Sequence, residues 1–499
     1  MEVKMKQMRN MPKIKMGVVG VSRDCFPIEL TRTRLKQVMT ECRKLKLRVV
    51  ACQTIIESEN DAIAAVAELK EKGVNAVSIY LGNFGPEGPT TIFAKTLGVP
   101  FMLTAAAEES KDSLIQGRGD AFCGLLNASF NAGLRSLNPY IPPTPVGLPE
   151  QVAENIAYFI DVARVVISIK NLKVFSFGPR PHDFYACNAP IKPLYNLGIE
   201  VMENSELDLF ELYNSMADKT QKINAIARDM AEELGEGNNY PEKLKQLAQY
   251  ELALTTFFRE NLGSRQFGVY ANKCWPAFQT SFGFVPCFVN SRLAGRGIPV
   301  ACEVDIYGAV SEYMAQVASQ HPATILDVNN TVPDDIKIAD LKGANRKDLF
   351  MGFHCGNTAS CNLEPGFAMK YQRIMHRLLE PDKEPDITCG TLDGTLKHGP
   401  TTIFRLQSAP DSSSLISYIA EGHILDADPS SFGSIGIFGI KDFARFYRYV
   451  MLEKQFPHHT ATAFEHAGGI LFDAVKLLGV NDISAPRPVG VLYQNENPF

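Results

Sequence analysis

Three carboxylates crowd one apolar stretch of this chain. In IPVACEVDIYGAVSEYMAQ (Ile298–Gln316), Glu303 and Asp305 interrupt a short apolar run, and Asp327 ends a second, ATIL (Ala323–Leu326). A carboxylate at the end of a strand commonly caps a helix or closes a turn. Glu303 and Asp327, however, bracket one helix-length segment, Tyr307–Ser319, so a strand–helix–strand reading sets both at neighbouring strand ends. That edge is where open α/β sheets bind ligands. With an imidazole from PHHT (His458 or His459; His466 follows in the same segment), Glu303 and Asp327 would form a two-carboxylate, one-histidine site. Such a donor set suits Mn2+ or another divalent cation. The cation would hold two adjacent oxygens and polarise a carbonyl, while the carboxylates move a proton at the neighbouring carbon. No HExxH or HxH spacing ties these residues together, so the capping and the metal-binding readings both stand at this point. His354, in DLFMGFHCGNTASCN (Asp348–Asn362), lies between an apolar run and a Gly/Asn/Ser loop, where it either packs or reaches a polar site.

The elements that must position these groups follow from periodicity. Short β-rich runs at Lys13–Ser22, Leu47–Gln53, Asn75–Gly82 and Val99–Ala105 alternate with helical patterns at Leu30–Lys46 and Asp61–Lys72, which predicts a parallel, doubly wound sheet. GNFGPEGP (Gly82–Pro89) breaks one of these strands into a loop and lacks the spacing of a phosphate cradle. After the Pro-rich link Leu137–Pro145 and a helix at Glu150–Ser168, a second α/β region begins with LKVFSFG (Leu172–Gly178) and includes Leu197–Glu203 and polar helices from Leu207 to about Glu260. SRQFGVYANKCWPAFQ (Ser264–Gln279) holds the single tryptophan, Trp275, read as a packing anchor beside Pro276 ahead of the alternative of a sugar-stacking platform. From Gly390 to Pro457 short strands alternate with Gly/Ser/Asp turns, predicting an antiparallel β-rich region; Phe456–Val480 then reads as histidines before and within the start of a hydrophobic helix. The expected domains are 1–168, 169–345 and 346–499, since 499 residues exceed what one core supports.

Composition narrows the class of function. A net charge of −5 with no long basic run gives no reason to expect nucleic acid. The basic N-terminus is followed by no long apolar segment, and no stretch approaches a bilayer span, so no membrane association and a cytoplasmic location are expected. Eleven cysteines without a CxxC pair read as reduced thiols, mostly buried.

The sequence resembles the L-fucose isomerase/L-arabinose isomerase group of aldose–ketose isomerases. The likeness rests on ACEVDIYGA with Glu303, ILDVNN with Asp327, SRQF with Gln266, and PHHT with His459. It implies two flavodoxin-like α/β domains followed by a β-rich C-terminal domain. It also implies Glu303, Asp327 and His459 as ligands of Mn2+ or a related cation, with His458 the competing ligand, and Glu303 and Asp327 as the acid–base pair. Gln266 is implied as a partner of a substrate hydroxyl. His354 stands where arabinose isomerases have a further ligand histidine, and it and Asn357 are candidates on the substrate side. The resemblance further implies a homo-oligomer, trimer or hexamer, whose N-terminal regions complete neighbouring sites. Asn83–Pro89 and Ser22–Arg34 then become substrate-end contacts. Arg23, with Arg32 and Arg34, would suit a sugar with a sulfonate or phosphate terminus, unless these are solvated helix positions. The activity expected is interconversion of an aldose, including a 6-deoxy or 6-sulfonated hexose, with its 2-ketose through a cis-enediol. Rival readings are an epimerase or lyase using the same enediolate, and a non-catalytic sugar-binding protein. Asp305 is read as a supporting residue.

Overall fold

The computed structural model describes residues 10–374, 389–412 and 414–499. Contacts divide the chain into two compact units, one spanning 12–167 and the other running from Ser168 to Phe499 and taking in Asn10.

In the first unit five strands, β1 (Met16–Val21), β2 (Val49–Ala51), β3 (Ala76–Leu81), β4 (Phe101–Ala106) and β5 (Val146–Gly147), form a sheet in the order β2-β1-β3-β4-β5. Every pairing is parallel. β1, β3 and β4 are buried along their whole length, as their unbroken apolar runs require of strands covered on both faces. Helices between the strands have local start signals: Ser58 and Asp61 form a capping box ahead of the helix Glu59–Glu71.

The second unit carries two sheets. β6 (Leu172–Phe177), β7 (Glu200–Asn204), β8 (Phe267–Asn272) and β9 (Val300–Cys302) make a parallel sheet in the order β7-β6-β8-β9. The rest is β10 (Thr324–Asn330), β11 (Leu349–His354), β12 (Ala368–Tyr371), β13 (Cys389–Thr395), β14 (Gly399–Ser408), β15 (Leu415–Leu425), β16 (Ser434–Gly439), β17 (His459–Ala463) and β18 (Asp482–Ser484). These run in the order β12-β13-β16-β11-β10-β17-β14-β15-β18, and β15 also pairs with β16. That last pairing closes β16, β11, β10, β17, β14 and β15 into a ring of antiparallel neighbours, a small barrel. The β13–β16 and β15–β18 pairs are parallel, so the region is mixed rather than wholly antiparallel.

Two expectations change here. The helix between Glu303 and Asp327 (Ile306–Ser319) does not return to the sheet it left; it connects β9 of the parallel sheet to β10 of the barrel. Gln320 takes a left-handed conformation at its C-terminus and the chain turns away. The helix is buried on all sides, consistent with an element packed between sheets. The C-terminal histidines also differ: His459 opens strand β17, and the hydrophobic helix starts only at Gly468. HTATA alternates β-branched threonines with small residues, which a pleated strand accommodates better than a helix does. Among the described residues no helix is long and apolar enough to cross a membrane, and all eleven cysteines are free thiols, some of them exposed.

Candidate active site

Strand register brings the first two ligand candidates together. β10 and β17 pair antiparallel with Asp327 directly opposite His459, while on its other side Asp327 stands opposite Phe353, the neighbour of His354. Directly opposed residues on one face lie about 5 Å apart at Cβ, so two strands of the barrel hold this carboxylate and imidazole side by side.

Glu303 arrives from the other sheet. It follows β9 with φ +60°, and Val304 follows with φ +59°, a left-handed pair in which the β-branched residue is a clear outlier. Strain of this kind persists only where surrounding structure enforces it, and it clusters at functional sites. A side chain at Gly178 would come within 2.6 Å of Val304 Cγ2, so glycine there makes room for the turn. Trp275 donates its indole N–H to Glu303 Oε1 at 3.1 Å, which fixes one oxygen and leaves the other facing His459.

His459 Nε2 lies 3.4 Å from Glu303 Oε2 and 3.3 Å from Asp327 Oδ1. Each of these three atoms is buried and lacks a hydrogen-bond partner. Buried polar atoms are nearly always satisfied, and three that converge on one point have the character of a cation's donor set. The charges agree. Arg405 offsets Asp305 (2.6 Å), whereas among the described residues Glu303 and Asp327 pair with imidazoles and with no arginine or lysine. One imidazole is a weak counter-charge for two carboxylates that each have an oxygen shut off from water, and the residues present therefore fit a divalent metal.

Asp305 decides which nitrogen His459 presents. Its Oδ2 lies 2.8 Å from His459 Nδ1, so that nitrogen keeps its proton and Nε2 is the nitrogen turned to the two carboxylates, free to give its lone pair to a cation once its own proton has left. Arg405 binds Asp305 through both terminal nitrogens, at 2.6 and 2.9 Å, and is itself held by Gln407. Asp305 also caps the helix Ile306–Ser319 by accepting from the Gly308 amide at 2.8 Å. His354 has the opposite tautomer. Its Nδ1 accepts the Cys355 amide N–H at 2.9 Å, which puts the proton on Nε2 and makes the ring a donor rather than a ligand.

Burial pushes Glu303 and Asp327 up, but the His459 imidazole outweighs it and holds both carboxyls below their usual values. Asp305 is likewise raised by burial and held far lower by Arg405 and His459. Burial pushes His459 down, yet its acceptors, Asp305 foremost, keep it well above the ordinary histidine value. His354 is lowered by burial. His458 is pushed down to about 4 by burial and the neighbouring His459. It stands 3.6 Å from Asp327 Oδ1, is about one-third exposed, and packs edge-on against Phe184. The Cys187 thiol, beside Asp305 and His459, is pushed up to about 11 by burial and stays protonated.

Thus Glu303, Asp327, His459, His458 and His354 are gathered into one cluster. Asn357, buried with Oδ1 unpartnered, lies in the loop after His354. Gln266 is not brought there. It is exposed at the start of β8, while Glu303 follows the far end of the parallel neighbour β9, about 20 Å along the strands. Arg23 belongs to the first unit, where its guanidinium lies 5.2 Å from the Phe84 ring centre and 3.4 Å from the Gly85 carbonyl. Of its companions, Arg34 is buried against Glu108 and Arg32 is a solvated partner of Glu29. The structure adds Arg405 and gives Trp275 a polar role. Arg405 had a signal: one charge inside the apolar strand TTIFRLQ, where an arginine survives only if paired.

Comparison with known proteins fits this geometry. The N-terminal domain family of fucose/sulfoquinovose isomerases matches residues 17–170, and the C-terminal domain family of L-fucose isomerases matches residues 352–484. Together the two spans exceed half of the chain, in the family's order. The chain belongs to the fucose isomerase-like family. Among curated members, the sulfoquinovose isomerase of Priestia aryabhattai is 24% identical over 287 residues, 56% of this chain and 58% of the relative. That of Alkalicoccus urumqiensis is 23% identical over 321 residues, 63% of this chain and 66% of the relative. The chain thus spans less than two thirds of the length of each of these two relatives. The C-terminal family match takes in the end of β11 with His354, and His459, whereas Glu303 and Asp327 lie between the two matched spans.

Proposed function

We propose that this protein is a divalent-metal-dependent aldose–ketose isomerase acting through a cis-enediol. The observation that carries the reading is the convergence of the buried, unpartnered atoms Glu303 Oε2, Asp327 Oδ1 and His459 Nε2. A divalent cation held by these three residues, for which Mn2+ is the best match to an oxygen-rich set with one imidazole, supplies polarisation of the sugar carbonyl when bound.

The chain's own groups account for the proton movements. One carboxylate of the Glu303/Asp327 pair takes the proton from C2 of the aldose and returns it to C1, while the O2 proton passes to O1; the reverse sequence regenerates the aldose. Trp275 keeps Glu303 aimed by holding its other oxygen. His354, with its proton on Nε2, donates to a sugar oxygen, and Asn357 Oδ1 accepts from a hydroxyl. A hexose with a 6-sulfonate is the substrate class to which the relatives' printed name points, and Arg23 of a neighbouring copy is the cation that the family resemblance offers for its anionic end.

The test is turnover on a panel of aldoses with Mn2+ added and removed, including a 6-sulfonated hexose. A ketose product that disappears in Glu303→Gln, with the fold intact by circular dichroism, is expected. A second aldose as product, or near-normal turnover in Glu303→Gln, would sink the assignment.

A further inference from the structure

The loop that leaves β6, GPRPHDFY (178–185), borders the site and carries a side chain that the isomerase reading does not use. β6, β8 and β9 run parallel, so this loop leaves the sheet at the same edge as Glu303. It touches the site at both ends. A side chain at Gly178 would come within 2.6 Å of Val304 Cγ2. Further along, the His182 and Phe184 rings stand 6.0 and 6.1 Å from the ring of Trp275, which holds Glu303, and Phe184 lies 5.3 Å from the ring of His458. Arg180 sits between these contacts, midway from Gly178 to His182.

Arg180 is a cation without an acid. Its guanidinium carbon lies 4.9 Å from the centre of the Tyr185 ring, its Nε is shut off from water and has no hydrogen-bond partner, and among the described residues no carboxylate stands within ion-pair distance of it. Two other cations at this edge are compensated: Lys273 by Glu206 at 2.9 Å, and Arg405 by Asp305. A shielded N–H of a charged group is costly to leave unpaired. Stacking on an aromatic ring fixes the guanidinium plane and offers its edge, where Nε and a terminal nitrogen form a fork for two oxygens of one anion.

We infer that Arg180 binds a sulfonate at C6 of the sugar and thereby sets a preference for a 6-sulfonated over an uncharged hexose. The inference rests on the proposed function for the class of sugar. A hexose reacting at C1 and C2 beside Glu303 carries C6 at the far end of its chain, so its terminus meets a wall of the site rather than its centre, and the 178–185 loop is the wall on the Trp275 side. Charge chooses between tetrahedral anions. One uncompensated guanidinium balances a sulfonate, which carries a single negative charge, whereas a phosphate monoester carries about 1.5 to 2 near neutrality. Arg180 stands in the same chain as the metal donors, so this recognition needs no second copy.

The experiment is calorimetric titration of the full chain, with Mn2+ present, by three hexitols of one configuration that carry at C6 a sulfonate, a phosphate or hydrogen alone. The wild type is expected to bind the sulfonated hexitol about 10- to 100-fold more tightly than the 6-deoxyhexitol, the usual worth of a hydrogen bond to a charged group, and more tightly than the phosphate. Arg180→Met should erase that ratio, and Arg180→Lys, which restores the charge but not the fork, should recover part of it. A wild type without the preference, a ratio that persists in Arg180→Met, or one lost in Arg23→Met instead overturns the inference; phosphate bound more tightly than sulfonate overturns the choice of anion. Hexitols have no carbonyl, so the ratio is read without turnover. An Arg180-dependent ratio in a chain that isomerises no aldose supports Arg180 while the isomerase reading fails, and isomerase activity with the ratio unchanged in Arg180→Met does the reverse. Should Arg180→Met fail to fold, Arg180→Gln decides in its place.

Discussion

Asp305 shows how much a single side chain can be asked to do. It accepts from Arg405 twice, from the Gly308 amide, and from His459 Nδ1. Its expected effect on metal binding is indirect, through the orientation and tautomer of His459. Asp305→Asn should weaken Mn2+ binding by about 10- to 100-fold, the usual loss when a partner of a ligating histidine is altered; calorimetric titration of the metal-free protein measures this without reference to turnover. Affinity equal to wild type would show that His459 needs no such partner. In the sequence Asp305 stands beside Glu303 as its apparent equal until the family resemblance reduces it to a supporting residue. The residue that separates them, Arg405, is one hundred positions away. By contrast Glu303, Asp327 and His459, which family motifs single out in the sequence, are brought together by the fold, both carboxylates within 3.4 Å of His459. The tautomers of His354 and His459 were not legible, since they depend on a backbone amide and a carboxylate placed by folding.

Among the elements, the helix Ile306–Ser319 illustrates what periodicity can and cannot say. Its extent was readable to within one residue. Its destination was not, because whether a strand joins the previous sheet or starts a new one is decided by long-range pairing, here of β10 with β11 and β17. The start of the helix is tuned to the site. A Cβ at Gly308 would lie 2.4 Å from Asp305 Oδ2 and 3.1 Å from Arg405 Nη1. Gly308→Ala, a change that favours helix by propensity, should therefore lower stability by about 1–3 kcal/mol through overpacking and loosen metal binding as Asp305 shifts. Thermal unfolding and metal titration of the variant test the two effects separately. A more stable protein with unchanged affinity would contradict the packing described around Asp305. The PHHT segment misled for a related reason: its histidines precede a strongly apolar helix, and the short strand that carries His459 is defined only by its partners β10 and β14.

For the whole molecule, the buried ionisable groups outside the site set a pH dependence. Glu312, on the helix Ile306–Ser319, has an unpartnered Oε2. Burial pushes its carboxyl up from 4.5 to about 8, with His459 opposing. A raised carboxyl value means that the native state binds the proton more tightly than the unfolded chain. Its contribution to stability is thus complete below the ordinary glutamate range and is lost as pH rises through about 8. Unfolding temperatures of metal-free wild type and Glu312→Gln should diverge between about pH 5 and pH 9, the wild type falling by the equivalent of a few kcal/mol relative to the variant. Parallel pH profiles would refute the assignment.

The closed ring of six barrel strands has a kinetic consequence for the site. Asp327 and His459 face each other only in one register, and in a ring no strand can slip by a residue without breaking two ladders. Local fluctuations that open a sheet edge are denied to β10 and β17, which have partners on both sides. Amide hydrogens of Ile325, Leu326 and Ala461 should accordingly exchange with solvent deuterium only when the whole unit unfolds, at the slowest rates in the protein, and a chelator should leave those rates ranked first. Faster exchange there than in β6 or β8 would mean that the ring opens on its own. If the expectation holds, the pairing of Asp327 with His459 persists for as long as the unit stays folded, whether or not a cation is bound.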